Sequence, residues 1–476
     1  MIKLNVSSDQ NAQNIIVLAH SGSDLNKIAG IQSDYLNKKV QAEENGSSFS
    51  SVDDKLVYAV YANKKADTTN QSYQDYRVLG SQVTKAVNAE KLESLTVLAD
   101  SDISKEFILA FLEGMCLENY QYLQFKTDKK KKNSLTTLSI SIDGVTASDL
   151  NELENVVEAT CFSRDIVNEP VITLNATALA KRFEGAGKIA GFDTQILSKK
   201  EIEDLNMGGL LGVNLGSIDD PSFTIMTYKP ENAVNEKPLV LVGKGVVYDT
   251  GGNNLKPGAY MSDMKSDMGG SAGVSGAIYA IAKNNLPVYT IALVPATDNR
   301  IGKNALVADD VITISDGTTV EVKNTDAEGR LILSDALVYA KQYDPMLCID
   351  MATLTGAAHA ITGSHGIASV ATASEELKNQ LKESGERVYE RILELPMWSE
   401  YRKQLDSNIA DISNLGGPVG GVVTAGVFLK HFTDYPWIHL DIAGPAFLEK
   451  PEPYKAAGGT GTGVRLVYDF AKNMAK

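Results

Sequence analysis

Two carboxylates and a guanidinium occupy alternate positions of one short segment, residues 324–331, which reads Asn-Thr-Asp-Ala-Glu-Gly-Arg-Leu. In an extended segment, Asp326, Glu328 and Arg330 would all project to one side. Two carboxylates held that close repel each other unless a cation lies between them, and one arginine neutralises only one of them. The segment is therefore a candidate metal site. A solvated turn with an incidental salt bridge is the alternative interpretation.

The segment lies where a predicted strand meets a predicted helix. Residues 319–323 alternate apolar and polar side chains, the period-two pattern of a strand with one buried face. Residues 331–343 are rich in Leu, Ile, Ala and Tyr over a length typical of a helix. Because ligands of α/β sheets bind where strands hand over to helices, this position favours a binding site.

A second charged pair follows a predicted buried strand. Residues 238–243 are apolar almost throughout, which indicates a strand covered on both faces, and Lys244 comes directly after them. A lysine at that point is expensive to desolvate unless anions meet it, and Asp249 is near in sequence. A buried Lys244–Asp249 ion pair without chemistry is the alternative interpretation.

A further acid, Asp267, precedes a run of small residues that leads into a predicted helix at residues 277–282. The dipole of that helix would favour a negative charge at its N-terminus. An N-cap role is the alternative explanation for Asp267. Asp263 is a competing ligand that residue type does not exclude.

Four acids thus stand at the end of a predicted strand or the start of a predicted helix, and topology can bring such ends to one crevice: Asp249, Asp267, Asp326 and Glu328. Four carboxylates in one pocket need about two divalent cations for charge balance, and paired ions about 3.5–4 Å apart are a common hydrolytic device. Carboxylate oxygens suit Mg²⁺ and Mn²⁺, and Zn²⁺ also accepts them. Lys244 would ligate only as a free amine, which a neighbouring dication could produce.

The length of 476 residues predicts two domains. In residues 1–146, strand-like apolar runs alternate with helical stretches, which predicts a smaller N-terminal α/β domain. Residues 147–172 begin with one helix, predicted over residues 147–168 and closed by Asn168-Glu169-Pro170, and form the candidate connector. The stronger apolar runs and denser glycines of residues 173–476 mark a larger catalytic domain, for which we expect an α/β/α architecture with a mostly parallel central sheet.

Composition excludes some classes of function. Sixty acids against 45 basic residues give a formal charge of −15, which argues against a general nucleic-acid binder because such proteins present a basic face. The basic run at residues 129–132 lies between predicted strands and indicates a solvated loop. Cys116, Cys161 and Cys348 lie in apolar surroundings, which favours buried, reduced thiols. With no signal-peptide pattern and no stretch long enough to cross a bilayer, we expect a cytoplasmic protein without membrane partners.

The charged positions and their spacing resemble the leucyl aminopeptidases, the two-metal cytosolic aminopeptidases of the M17 type. The residues that carry the resemblance are Lys244, Asp249, Lys256, Asp267 and the segment 324–331, which is the family's signature without a mismatch. Residues 162–170, 350–357 and 439–445 add to the likeness, which covers the chain from about Phe162 to the C-terminus. The N-terminal domain matches only in general character.

The resemblance implies a set of metal ligands. Asp249 and Glu328 would bridge two ions, Zn²⁺ or Mn²⁺, with Mg²⁺ as a further option at the exchangeable site. Lys244 and Asp267 would complete the tightly held site, and Asp326 would complete the exchangeable one through its side chain and carbonyl. The free α-amine of the substrate would bind the exchangeable ion, which restricts cleavage to the first residue.

The resemblance also implies catalytic and binding roles. Lys256 would bind the substrate carbonyl and stabilise the oxyanion of the tetrahedral intermediate. Arg330, with Gly329 and Leu354, would hold a bicarbonate that relays the proton of the attacking water, since no histidine or spare glutamate remains as general base. The positions that match the family's substrate pocket are Met264, Asn324, Ala327, Thr353 and Gly356.

Two segments depart from the family pattern. Residues 250–254 read Thr-Gly-Gly-Asn-Asn where the family usually has Ser-Gly-Gly, an apolar residue and Ser. Residues 363–366 read Gly-Ser-His-Gly in place of a smaller, more apolar motif. Because both segments can alter the pocket, a preference for leucine does not follow from the resemblance.

The expected function is release of N-terminal residues from peptides, by a homohexamer on family analogy. Three alternatives remain: a narrow dipeptidase such as one acting on cysteinylglycine, a DNA-binding or regulatory member of the same family, and a phosphate-transferring metalloenzyme. The acidic charge argues against the second alternative. The lack of a recognisable phosphate loop argues against the third.

Overall fold

The structure is a computed structural model that describes residues 1–8, 13–41, 45–63, 69–128 and 132–476. Contacts divide the chain into two compact units. The first unit comprises Met1–Cys161, Arg387–Tyr389 and Lys450–Ala457, and the second comprises Phe162–Glu386, Glu390–Glu449 and Gly458–Lys476. The division falls inside the predicted connecting helix. That two later segments belong to the first unit was not predicted from the sequence.

The first unit is built on one sheet. Its strands are β1 (Lys3–Val6), β2 (Asn14–His20), β3 (Gly46–Val52), β4 (Lys55–Ala62), β5 (Ser94–Ala99) and β6 (Thr137–Ile140). Its helices are α1 (Leu25–Ala29), α2 (Asp34–Val40), α3 (Thr69–Ala89), α4 (Lys105–Glu118) and most of α5 (Ala147–Asn168). The strand order is β1-β6-β5-β2-β4-β3, and every neighbouring pair formed by the described residues is parallel except β3 with β4.

The second unit contains the remaining elements. Its strands are β7 (Asp193–Leu197), β8 (Ser222–Tyr228), β9 (Leu239–Gly243), β10 (Gly245–Asp249), β11 (Thr290–Asn299), β12 (Val311–Thr313), β13 (Thr319–Glu321), β14 (Leu347–Ala352), β15 (Ile367–Ala371), β16 (Ile392–Glu394), β17 (Ile412–Ser413), β18 (Trp437–Asp441), β19 (Phe447–Leu448) and β20 (Gly458–Gly459). Its helices are α6 (Ala176–Ala190), α7 (Lys199–Asp204), α8 (Gly208–Asn214), α9 (Gly269–Lys283), α10 (Glu328–Ala340), α11 (Gly356–Thr362), most of α12 (Glu375–Val388), α13 (Ser399–Lys403), α14 (Gly421–Lys430) and α15 (Val464–Met474). Short 3₁₀ turns occupy Gly258–Met261, Met264–Met268, Lys341–Tyr343 and Gly363–His365.

A large central sheet organises the second unit. Its strand order is β16-β15-β18-β14-β9-β11-β8-β7, with β10 pairing with β11 as well. The pairs from β18 through β14 and β9 to β11 are parallel, and antiparallel pairing is confined to β15 with β18 and to β7, β8 and β11 among the described residues. The predicted mostly parallel central sheet is therefore confirmed.

Helices pack against this sheet in two groups. In the first group α9 contacts both α6 and α15, and in the second α10 contacts both α8 and α14. All five residues of β9 are buried, as expected of a strand covered on both faces. The α/β/α architecture expected from the sequence is confirmed.

The helix after the signature segment begins earlier than predicted. It starts at Glu328 rather than at residue 331, so the expectation that residues 326–330 are extended is wrong. The chain turns because the Asp326 amide donates to Asn324 Oδ1 at 2.8 Å and the Ala327 amide donates to the Asn324 carbonyl at 3.2 Å. Glu328 and Arg330 therefore project from the first turn of α10.

The predicted connecting helix and the predicted buried cysteines are both found in the structure. The predicted helix from residue 147 is α5, which ends at Asn168 before Pro170. Cys116, Cys161 and Cys348 are buried, as predicted. None of the helices formed by the described residues combines the length and the apolar composition that a membrane span requires. The basic run falls on residues 129–131, outside the described residues, and on Lys132.

Asp335 links α10 to two neighbouring segments. It is completely buried and accepts hydrogen bonds from the Leu210 and Ser315 amides, each at 2.9 Å. Burial raises the pKa of this carboxyl group to about 7. We expect Asp335→Ala to lower the free energy of unfolding by about 2–4 kcal/mol, because two buried N–H groups lose their acceptor. Denaturant unfolding measures this loss.

The control for this measurement is an exposed aspartate. Asp434 lies 3.4 Å from Lys341 in an ion pair whose aspartate is 67% exposed. Its replacement by alanine should change the free energy of unfolding by less than about 1 kcal/mol. Equal effects of the two alanine variants would contradict the role given to Asp335.

Candidate metal centre

The predicted ligands come from the ends of neighbouring elements of the second unit. Asp249 is the last residue of β10, and Lys244 is the single residue between β9 and β10. Glu328 is the first residue of α10. Asp267 lies in the 3₁₀ turn that precedes α9. The structure thus brings together residues that are up to 84 positions apart, from Lys244 to Glu328, at one edge of the central sheet.

Lys244 is a buried cation surrounded by acceptors. Its Nζ atom lies 2.7 Å from Asp267 Oδ2 and 2.9 Å from Glu328 Oε1. It also donates to the Thr353 carbonyl oxygen at 2.9 Å. The lysine side chain is 3% exposed, so these acceptors replace the water that it loses on burial.

Lys256 binds the other two acids. Its Nζ atom lies 2.7 Å from Asp249 Oδ2 and 2.6 Å from Asp326 Oδ1. The alternative of a Lys244–Asp249 ion pair is therefore wrong. Because the Lys256 amide donates to the Thr250 carbonyl at 2.9 Å, the loop after β10 folds back and places Lys256, rather than Lys244, against Asp249.

Three of the carboxylates are close enough to share an ion. Ligand atoms of Asp249, Asp326 and Glu328 all lie within 4.8 Å of one another. With Asp267, four acids face the two lysines, so the cluster carries an excess of negative charge when all six groups are ionised. Such an excess favours the binding of cations.

The crowding of these acids changes their pKa values. Burial raises the pKa of Asp249 to about 7, and the Glu328 carboxylate acts in the same direction. Burial also raises the pKa values of Asp267 and Asp326. Glu328 differs, because Lys244 and then Lys256 outweigh its burial and lower its pKa. Crowding these acids without additional cations therefore favours the protonated forms of Asp249, Asp267 and Asp326.

The two lysines keep their protons in this arrangement. Burial alone would lower the pKa of Lys244, but Asp267, Glu328 and Asp249 outweigh it and raise the pKa above its ordinary value. Asp249 and Glu328 likewise raise the pKa of Lys256 against the effect of burial. Lys244 could become a neutral metal ligand only where a bound dication replaced its proton.

Gly329 is required by the approach of Lys244. A Cβ atom on Gly329 would lie 2.5 Å from the Cε atom and 2.9 Å from the Nζ atom of Lys244. Real contacts of that length between a Cβ atom and a side chain do not occur, so any other residue would displace the lysine. The glycine of the signature segment thus permits the buried ion pairs beside it.

Arg330 is buried next to this cluster and has an unused donor. Its Nη1 atom donates to the Asn414 carbonyl at 2.6 Å, while its Nε atom has no hydrogen-bond partner among the described residues. Burial lowers the pKa of Arg330 to about 10. The Leu354 amide, another candidate for anion binding, donates to Asp441 Oδ1 at 3.1 Å. An anion beside Arg330 would have to share that amide with Asp441.

The five candidate substrate-binding residues differ in burial and in hydrogen bonding. Thr353 donates from its hydroxyl to Asp267 Oδ1 at 2.9 Å, and Asn324 accepts from the Asp326 amide. Ala327 is buried as the N-cap of α10. Met264 is half-buried in the 3₁₀ turn that also contains Asp267. Gly356 is exposed at the first position of α11.

Asp267 differs in burial from Asp263, the competing candidate ligand, and it is not the N-cap of the following helix. Asp267 is buried in the cluster, whereas Asp263 is exposed. The N-cap of α9 is Met268. An N-cap role for Asp267 is therefore wrong.

Three polar residues that hydrogen-bond to the candidate site residues were not identified from the sequence. Asn299 ends β11 and donates to Asp249 Oδ1 at 2.8 Å. Asn414 donates to the Asn324 carbonyl at 2.8 Å as well as accepting from Arg330. Asp441 accepts from the Leu354 amide and, at 2.7 Å, from the Thr355 hydroxyl. A polar residue closing an apolar strand was a signal for Asn299 and Asp441, whereas Asn414 lies in a loop and carried none.

Comparisons with known proteins show what this chain is similar to. The model of the cytosol aminopeptidase family catalytic domain matches residues 161–468. The probable cytosol aminopeptidase of Chlorobium limicola is 44% identical over 381 residues, which are 77% of this chain and 75% of that protein. The probable cytosol aminopeptidase of Clostridium perfringens is 39% identical over 437 residues, which are 86% and 88% of the two chains.

Solved structures show the same fold. The bottromycin maturation enzyme BotP in complex with Mn aligns with a TM-score of 0.86 at 28% identity, covering 98% of this chain and 100% of that chain. A mutant of tomato leucine aminopeptidase aligns with a TM-score of 0.87 at 25% identity, covering 99% and 97% of the two chains. Both alignments span nearly the whole of this chain.

The buried position of Lys244 leads to a prediction for the metal-free protein. We expect Lys244→Met to lower the free energy of unfolding by about 3 kcal/mol or more, because Asp267 and Glu328 would be left buried without their cation. The loss should grow as the pH rises above about 4, since unpaired buried carboxyl groups keep a proton that the unfolded chain releases. Denaturant unfolding of chelator-treated protein at several pH values measures both effects.

Lys237→Met is the matched control. Lys237 also lies close to a carboxylate, 2.6 Å from Asp344 Oδ2, but both side chains are more than half exposed. Its replacement should change the free energy of unfolding by less than about 1 kcal/mol. A Lys244 variant as stable as this control at every pH would refute the ion-pair argument.

Proposed function

Because the chain belongs to the cytosol aminopeptidase family, and is therefore a metal-dependent aminopeptidase, we propose that it releases the N-terminal residue of peptides at the acidic cluster. The observation that carries this proposal is the convergence of Asp249, Asp326 and Glu328, whose ligand atoms lie within 4.8 Å of one another. Peptides with a free N-terminus are the proposed substrates.

The donor set fits two divalent ions. In the proposed site Asp249 and Glu328 would bridge the ions, Lys244 and Asp267 would complete one site, and Asp326 would complete the other; the contacts of Lys244 with Asp267 and Glu328 and the closeness of the three carboxylates support this assignment. Oxygen donors of this kind accept Zn²⁺ and Mn²⁺, with Mg²⁺ as an alternative at the exchangeable site. Two such ions would supply a water of lowered pKa and polarise the scissile carbonyl.

Lys256 is proposed to stabilise the oxyanion that develops on the substrate. Its side chain is 15% exposed, more than that of Lys244, so its ammonium group remains accessible from outside the cluster. The surrounding carboxylates raise its pKa and keep it positively charged. A fixed positive charge at that place favours the tetrahedral intermediate over the planar peptide.

Arg330 is proposed to hold a bicarbonate that carries the proton away from the attacking water. Its Nε atom is buried and has no hydrogen-bond partner among the described residues. A buried donor without an acceptor is unfavourable, and a bound anion would supply the missing acceptor. Gly329 and Leu354 are proposed to donate their amides to the same anion. The anion would act as general base where the cluster offers no free histidine or glutamate.

The substrate side chain is proposed to lie against five residues: Met264, Asn324, Ala327, Thr353 and Gly356. At Gly356 a Cβ atom would meet no atom within 4 Å, so the first residue of α11 leaves open space for a substrate. A narrow dipeptidase of the cysteinylglycine type is the alternative. The homohexamer and the cytoplasmic location remain predictions.

The decisive experiment compares peptides with free and acetylated N-termini in the parent protein and in Glu328→Gln. We expect the parent to release the first residue only from free N-termini. The variant should lose turnover by at least about 10³-fold, because an amide cannot replace a bridging carboxylate. Chromatographic quantification of the released amino acid measures both results.

Glu321→Gln is the matched control. Glu321 is also buried, but it accepts from Ser407 and Lys323 and lies outside the cluster. Its replacement should leave turnover within a few-fold of the parent. Full activity of Glu328→Gln would contradict the proposal, and cleavage of dipeptides alone would favour the dipeptidase.

Removal of metal provides a second test. Treatment with a strong chelator should abolish hydrolysis, and addition of Mn²⁺, Zn²⁺ or Mg²⁺ should restore it to degrees that differ between the ions. Metal should also raise the melting temperature, because ligands that bind only the folded state stabilise it. Undiminished hydrolysis by protein that elemental analysis finds free of metal would rule out the proposed mechanism.

A further inference from the structure

We infer that Asn299 is a positioning residue that holds both proposed bridging carboxylates and the signature loop in register. The inference rests on the proposed two-metal site and extends it to a residue outside the ligand set. Asn299 is the last residue of β11 and is 5% exposed. It has no charge, and its side chain reaches the cluster from the sheet.

The side-chain amide nitrogen of Asn299 lies near three acceptors, two of them at short distance and Glu328 at the limit of a hydrogen bond. Its Nδ2 atom lies 2.8 Å from Asp249 Oδ1, 3.0 Å from the Thr325 carbonyl oxygen and 3.5 Å from Glu328 Oε2. Asp249 and Glu328 are 79 positions apart, and Thr325 immediately precedes Asp326. The same nitrogen therefore ties strand β10, the signature loop and the start of α10 together.

The backbone fixes Asn299 in this position. In the parallel pairing of β10 with β11, Asp249 and Asn299 are register partners. The Asn299 carbonyl accepts from both the amide and the hydroxyl of Thr250, each at 2.9 Å. Because Thr250 directly follows Asp249, these two hydrogen bonds fix the backbone beside this aspartate. The Asn299 side chain can therefore move little without moving Asp249.

The hydrogen bonds set the rotation of each carboxylate. Asp249 Oδ1 receives the Asn299 amide and the Gly251 N–H at 2.8 Å, while its Oδ2 atom faces Lys256. Glu328 uses Oε2 toward Asn299 and Oε1 toward Lys244. On both acids Asn299 engages the oxygen that the lysine does not.

A neutral donor suits this position better than a charged one. A lysine or arginine would add positive charge to the cluster and compete with divalent ions for the carboxylates. An aspartate would remove the donor and add a negative charge beside Asp249. An asparagine orients the carboxylates and leaves their charge available, which is how residues outside the ligand set tune a metal site.

The test measures binding of Mn²⁺ by competition with a chromophoric chelator. Asn299→Ala should weaken Mn²⁺ binding by about 10–100-fold, the usual effect of losing a residue that orients ligands. Asn299→Leu keeps the volume without the donors and should weaken binding similarly, and it carries the test where the alanine variant does not fold. Asn299→Gln keeps the amide and should recover part of the affinity.

Asn214→Ala is the matched control for losing a buried asparagine. Asn214 is also 5% exposed and donates to the Asp219 carbonyl and the Thr297 hydroxyl, at 2.9 and 3.0 Å, but to no carboxylate. Its loss should lower the melting temperature about as much as Asn299→Ala while leaving Mn²⁺ affinity within about twofold of the parent. This comparison separates positioning of ligands from general destabilisation.

Absorption of Co²⁺-loaded protein gives a second readout, because its visible bands report ligand geometry rather than stability. We expect the bands of Asn299→Leu to change in position or intensity, and those of Asn214→Ala to match the parent. Unchanged affinity and unchanged bands in Asn299→Leu, in a parent that binds two ions, would overturn this inference alone. A parent that binds no divalent ion would overturn the proposed function with it.

Discussion

The accumulation of buried negative charge at one edge of a sheet is the constraint on which the second unit depends. Asp249, Asp267, Asp326 and Glu328 are brought together against mutual repulsion, and two lysines offset only part of it. Ion pairs of this kind contribute little net stability, because desolvation consumes most of their attraction. Stability of the fold therefore does not account for their burial, whereas the proposed binding of divalent ions does.

Burial of the apolar strands of the parallel sheet supplies the favourable free energy that opposes the repulsion between these acids. Strands β9, β11 and β14 are buried throughout, so the apolar surface that they remove from water holds the acidic edge in place. The polar residues lie where strands end and helices begin, and backbone amides become available there. Gly251 illustrates this arrangement, since its N–H donates to Asp249 from a left-handed turn with φ +86°.

The acids could be predicted from the sequence because each one stands at a boundary between an apolar run and a turn. Their partners could not be predicted in the same way. Nearness in sequence suggests a Lys244–Asp249 ion pair as the alternative interpretation, but Lys244 contacts Asp267 and Glu328, because pairing across a sheet is set by topology rather than by separation along the chain. Asn299 was missed for a related reason, since an uncharged residue does not reveal from sequence that it meets two carboxylates.

The structure also gives a physical meaning to one departure from the family pattern. Asn254 stands where the family usually has serine. Its side-chain Oδ1 atom accepts from the Thr325 backbone N–H at 2.8 Å, and its backbone N–H donates to the Thr325 hydroxyl at 2.8 Å. These two hydrogen bonds connect the loop that presents Lys256 to the loop that presents Asp326. A shorter side chain would have to reach the same amide from farther away. This departure therefore lies at the joint between two proposed functional residues, where a small change in loop position alters the site as directly as a change in the pocket wall.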